Sequence, residues 1–168
     1  MACGVLLFAC SPWDEVAVEK GGFAIEFPGP PVDTIQIEGL SPSHKIYYKD
    51  MHSKQNSYYS VTYIDIPSVL DSSKLIDVCE WAKASYRYDV MLFARMVGGN
   101  LRNDSVITTM AGLPVREFKV DFSDKTGTVT MRKLCSGKRI YTVMVITRAG
   151  AAGNESVNKF FGSFRLLN

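Results

Sequence analysis

Two blocks of alternating apolar and polar residues enclose a single stretch with helical spacing, and this change of period constrains the fold more than any other feature of the chain. Phe23-Ala-Ile-Glu-Phe27 alternates as a half-buried strand does, and Pro28-Gly29-Pro30-Pro31 stops it. Runs from about Thr34 to Ile37, His44 to Met51 and Tyr58 to Ile66 follow, the last after the polar loop His52 to Ser57, and read as an antiparallel meander ended by Pro67. From Asp71, an N-cap residue, the pattern switches. Leu75, Cys79, Ala82, Tyr86, Val90, Phe93 and Val97 then fall on one stripe until Gly98 and Gly99. This spacing predicts one long amphipathic helix, or two with a break near Asp89.

Strand chemistry returns at Ser105 to Met110, Pro114 to Phe122, Thr128 to Leu134 and Arg139 to Thr147. The turns between them, Ala111-Gly112-Leu113, Ser123 to Gly127 and Cys135 to Lys138, predict three successive hairpins at the centre of the sheet. Asn154 is placed to cap a short helix through about Phe161, and Ser163 to Leu167 reads as a last strand. The class is therefore α+β: a mostly antiparallel sheet of about six to seven strands, with one long helix after the third or fourth strand and a short C-terminal helix.

With 168 residues, 46% of them hydrophobic, the chain can build one full core. That core is assigned to residues 23–168, with 11–22 as a polar linker. Nineteen basic against seventeen acidic residues leave a net charge of +2, which excludes wrapping a polyanion such as nucleic acid.

Residues 1–10 carry no charge and end in Leu7-Phe8-Ala9-Cys10, which resembles a bacterial lipobox. A segment of this kind enters the membrane and is cut before the cysteine, and acyl chains on the new N-terminus take its place as the anchor. Cys10 is thus the expected lipidation site, and the bacterial cell envelope, on its periplasmic or outer-membrane side, the expected location. No basic residue precedes Lys20, and a signal segment normally opens with one. The alternative is a buried first strand or helix in a cytoplasmic chain. No stretch approaches the roughly 20 apolar residues of a transmembrane helix.

Of the remaining cysteines, Cys79 lies on the apolar helical stripe and Cys135 beside a turn. Both read as small core residues, while an exported compartment would permit a disulfide between them. No Cys-x-x-Cys pair or zinc-type Cys/His spacing is present.

Five motifs carry a family resemblance: Phe23 to Pro31, Tyr59 to Pro67, Gly112 to Val120, Arg139 to Val145, and Lys159 to Leu167. In this order they resemble the PsbP-like superfamily, whose fold is shared by photosystem II extrinsic subunits, a Ran-binding nuclear import factor family and small bacterial lipoproteins. The bacterial lipoprotein branch looks nearest. The half-buried strand faces and the helices give an α/β/α or two-layer sandwich, the PsbP-like form being the α/β/α one, and the resemblance implies action through protein binding. It carries over no catalytic residues, because the motifs are patterns of apolar positions and turns.

Residues for chemistry are sparse. His44 and His52, the only histidines, lie roughly 26 Å apart if the chain between them is extended, too far to share a metal. They read as surface residues flanking a strand. Gly150-Ala-Ala-Gly153 lacks the lysine and spacing of a phosphate-binding loop. No enzyme activity and no cofactor are expected.

Two surfaces are candidates for contact. Arg132-Lys133 and Lys138-Arg139 flank one turn and would gather four positive charges at a hairpin end, suited to lipid headgroups or an acidic partner. The doublets Tyr47-Tyr48 and Tyr58-Tyr59 should face each other on neighbouring strands. One ring of each must point away from the core, as tyrosines at interfaces do.

The expected function is that of a lipid-anchored envelope accessory protein acting through a protein partner. A soluble intracellular chaperone or adaptor of the same fold is the first alternative. A small-ligand carrier or enzyme, which needs a pocket of convergent polar groups, is the second.

Overall fold

A computed structural model describes residues 13–38, 41–66, 78–102 and 106–167. In chain order the strands before the long helix are β1 (Asp14–Val18), β2 (Phe23–Phe27), β3 (Val32–Glu38), β4 (Ser41–Lys49) and β5 (Asn56–Asp65). Helix α1 (Val78–Met96) follows, then β6 (Gly99–Leu101), β7 (Val106–Met110), β8 (Leu113–Phe122), β9 (Gly127–Ser136) and β10 (Arg139–Arg148). Helix α2 (Glu155–Ser163) and β11 (Arg165–Leu166) end the fold.

The α+β character and the antiparallel pairing match the alternation in the sequence, but the strand count and arrangement differ. The described residues form two sheets rather than one. A large sheet runs β3-β4-β5-β10-β9-β8-β6, with β7 also pairing β8, and a small one runs β1-β2-β11. The expected linker over residues 11–22 is corrected: Asp14–Val18 pairs antiparallel with Phe23–Phe27 around a 3-10 turn at Glu19–Gly21. Its polar positions escape strand detection because β1 is an edge strand, solvated on one side. The long helix comes after the fifth strand, and it is continuous through Asp89. Its expected start at Asp71, the stripe residue Leu75 and the strand stop at Pro67 lie outside the described residues.

Each face of the large sheet has its own core. On one side β1, β2, β11 and α2 bury Phe23, Phe27, Phe160, Phe161 and Phe164 against Tyr59, Val61, Val143 and Val145. Phe23 and Phe164 stack with centroids 5.6 Å apart. Each such ring contributes about 1.5–3 kcal/mol by leaving water, so the short last helix and strand are held chiefly by these contacts. On the other side α1 lays Ala82, Tyr86, Val90 and Ala94 over Phe118, Val120, Val129 and Met131.

Local chemistry sets the boundaries. Gly98, at φ 62°, lets the chain leave α1 directly into β6. Ala111 and Gly112, at φ 52° and 74°, give the two-residue turn that matches strand twist between β7 and β8. Asn154 caps α2 by accepting from the Val157 amide at 3.1 Å. Its own amide donates to Asn56 Oδ1 at 2.7 Å, which fixes the start of α2 against the start of β5.

Cys79 and Cys135 form a disulfide with a Cα separation of 5.5 Å. The reading of two buried core thiols is thereby corrected. Both residues are only half-buried, because the first turn of α1 sits at the border of its packed stripe, above the end of β9.

Candidate functional site

The β4–β5 register sets Tyr48 opposite Tyr59, Lys49 opposite Tyr58 and Tyr47 opposite Ser60. The pleat then divides the four tyrosines between the two faces. Tyr48 and Tyr59 belong to the phenylalanine-rich core, where Tyr59 is 2% exposed and accepts from Asn56 Nδ2 at 2.8 Å. Burial raises the Tyr59 pKa, and the Asn56 hydrogen bond only partly offsets it. Tyr47 and Tyr58 lie half-buried on the opposite face, stacked at 5.6 Å. Lys45 Nζ sits 5.4 Å from the Tyr58 centroid and Lys49 Nζ 5.7 Å from that of Tyr47. The outward pair is therefore an aromatic step edged by two ammonium groups, a surface that offers cation–π and stacking contacts together.

The four basic residues near the β9–β10 turn do not form one patch. Arg132 points to the α2 side, 2.9 Å from Glu117 Oε2 and 4.3 Å from the Phe161 centroid. Its neighbour Lys133 points to the α1 side and pairs with Asp89 at 2.8 Å. Arg139 pairs with Asp65 at 2.6 Å and lies 5.0 Å from the Tyr63 centroid. Lys138 stays exposed at the turn. Adjacent strand positions alternate faces, and carboxylates distant in sequence meet Arg132, Lys133 and Arg139. The expected basic hairpin end is thus corrected.

His44 stacks on Tyr63 with centroids 4.7 Å apart, while His52 is exposed in the loop after β4. Among the described residues no three His, Cys, Asp or Glu side chains converge as a metal would require. Nor is any helix among them long and apolar enough to cross a membrane.

A polar groove on the α2 side of the sheet was not anticipated. The β8–β9 register pairs Glu117 with Arg132, Lys119 with Thr130 and Asp121 with Thr128, all facing this side. A cavity of about 400 Å³ opens at the turn end, lined by Asn100, Arg102, Asp121, Ser123, Lys125 and Thr128 among others. Arg102 pairs with Asp121 through Nε, and Thr128 Oγ1 donates to the same carboxylate at 2.7 Å. Burial works to raise the Asp121 pKa, but the hydrogen bonds from Arg102 and Thr128 outweigh it and hold the carboxyl below its ordinary value. The signal in the sequence is the alternation Glu117, Lys119, Asp121 against Phe118, Val120, Phe122: toward its turn the central hairpin is apolar on one face only, while Val115 and Leu134 at its other end join the α2-side core.

The architecture superposes on the solution structure of cyanobacterial PsbP (CyanoP) from Synechocystis sp. PCC 6803 over 99% of this chain and 98% of that chain, with a TM-score of 0.56. The fold is PsbP-like. Sequence identity in this alignment is 16%, so the likeness concerns the fold alone. No protein-family model matches the chain, and no curated protein matches it in sequence. Within the PsbP-like frame, the aromatic step and the polar groove lie on opposite faces of one sheet.

Proposed function

We propose that this chain is an accessory binding protein of the bacterial cell envelope, anchored through lipid on Cys10 and acting by contact with a protein partner. The observation that carries the location is the Cys79–Cys135 disulfide. Such bonds persist in oxidising compartments and are rare in the cytosol, which agrees with export directed by the lipobox-like Leu7 to Cys10. The contact surface is the Tyr47–Tyr58 step with Lys45 and Lys49, where broad aromatic area and charge suit recognition of a protein surface.

Intact mass spectrometry of the protein purified from its host's membrane fraction tests this reading. Cleavage before Cys10, added acyl mass and the mass deficit of one disulfide are expected. An uncleaved chain with free thiols would overturn it. That outcome would favour an intracellular adaptor, for which the exposed Tyr88, Met91, Leu92 and Met96 on the outer side of α1 offer an adaptable apolar surface.

A further inference from the structure

The polar groove has no part in the contact surface proposed above, and it lies on the other side of the sheet. Four cations, Arg102, Lys119, Lys125 and Arg132, line its two cavities, against two carboxylates, Glu117 and Asp121. Both carboxylates are already engaged within the groove. Glu117 lies between Arg132 Nε at 2.9 Å and Lys119 Nζ at 3.4 Å, and Asp121 takes Arg102 and Thr128. The next carboxylate along the chain, Asp124, turns back onto Thr126, accepting from its amide at 3.0 Å and its hydroxyl at 2.8 Å. Positive charge is left over in the larger cavity.

Lys125 supplies most of that excess. It forms no ion pair with a carboxylate among the described residues, and its backbone holds the left-handed φ of 59°, uncommon for a residue with a side chain. Arg102 spends only Nε on Asp121, while a guanidinium carries five N–H donors in a planar fork suited to carboxylate and phosphate. Asn100 and Ser123 add neutral polar groups at the same wall. A volume of about 400 Å³ falls within the range of small-molecule sites. It exceeds what a bare inorganic ion would fill.

We propose that this cavity binds a small organic anion, its carboxylate or phosphate group held by Arg102 and Lys125 and its polar body against Asn100, Ser123 and Thr128. The floor carboxylates, each satisfied by neighbours, do not compete for the ligand.

The test is an NMR titration of the isotope-labelled full chain with citrate, with glucose 6-phosphate and with uncharged glucose. Saturable shifts of the Asn100, Arg102 and Ser123 to Thr128 amides are expected with at least one anion and none with glucose. The responding anion identifies a carboxylate or a phosphate ligand. Lys125→Gln and Arg102→Gln should each weaken binding about tenfold or more, as loss of a charge-assisted hydrogen bond does. Lys45→Gln, on the opposite face, should leave it unchanged. Among the described residues Lys125 makes no ion pair that its replacement would break, so that variant keeps the test sound even if Arg102→Gln disturbs Asp121. No saturable shift with either anion, or equal weakening by Lys45→Gln, would overturn the proposal. The outcome is independent of processing at Cys10, so it stands or falls apart from the envelope reading.

Discussion

Lys133 Nζ lies 2.8 Å from Asp89 Oδ2 across the interface of β9 and α1, with the lysine side chain 9% exposed and the aspartate 48% exposed. The same ammonium sits 5.1 Å from the Tyr86 centroid. The two partners are unequally desolvated, so breaking the pair from either side has unequal consequences. Asp89→Ala leaves a buried ammonium without its counter-charge and should cost about 1–3 kcal/mol. Lys133→Met leaves a carboxylate that water already reaches, and should cost less than about 1 kcal/mol. Urea denaturation of both variants measures the difference, and equal losses would contradict this account.

Tyr86 is 1% exposed and its hydroxyl has no hydrogen-bond partner among the described residues. Burial, with a smaller contribution from Asp89, raises its pKa far above the ordinary 10.0. A group whose folded pKa is raised contributes stability in full below the unfolded pKa and loses it as pH rises past that value. Tyr86→Phe should therefore be neutral or stabilising by about 1 kcal/mol at neutral pH, because an unsatisfied polar atom is removed. It should also flatten the loss of stability above pH 10.0. Denaturation midpoints followed into alkali give both readouts.

Asp121 behaves in the opposite sense. Its folded pKa lies below the ordinary 3.8, so its contribution is present above that value and is lost as pH falls through the folded pKa. Asp121→Asn should lower stability at neutral pH, since Arg102 loses its carboxylate. It should also weaken the dependence of stability on pH below 3.8. A variant as steep in acid as the parent would show that Arg102 and Thr128 do not stabilise the ionised form.

The disulfide joins residues 56 positions apart. Closing a loop of that size restricts the unfolded chain, and its removal by Cys79→Ser with Cys135→Ser should cost roughly 2–4 kcal/mol. Adding reductant to the parent should bring its denaturation midpoint to that of the double variant. A midpoint unchanged by reductant would mean that the bond contributes nothing.

Tyr47→Ser and Tyr58→Ser test the contact surface. Each removes a cross-strand aromatic contact of about 0.2–1 kcal/mol, so the fold should persist. Crosslinking to a partner in the native membrane fraction should nevertheless be lost. Crosslinks that survive both changes in folded protein would place the contact elsewhere.

Much of the architecture follows from patterns that neighbouring residues set among themselves. The alternation in Tyr58 to Ile66 and Arg139 to Thr147, the stripe from Ala82 to Val97, Gly98 at a helix end and Asn154 at a helix start each encode a local backbone preference. The facing of Tyr48 and Tyr59 was readable too, because a loop of known length sets the pairing on either side of it. β1 and β6 were not: their few residues carry no periodic signal and become strands only because β2 and β8 offer an edge to pair with.

By itself the sequence determined the α+β class, the central hairpins and which face of the longer strands is apolar, since these depend on period and turn chemistry within a few residues. Only the tertiary structure decided that Cys79 meets Cys135, that Asp65, Asp89 and Glu117 neutralise Arg139, Lys133 and Arg132, and that the polar faces of β8 and β9 open into a cavity with Arg102 and Lys125. The physical reason is range. A disulfide, an ion pair or a cavity wall requires two groups within a few ångströms, and that proximity is set by how layers pack, which no spacing along the chain records.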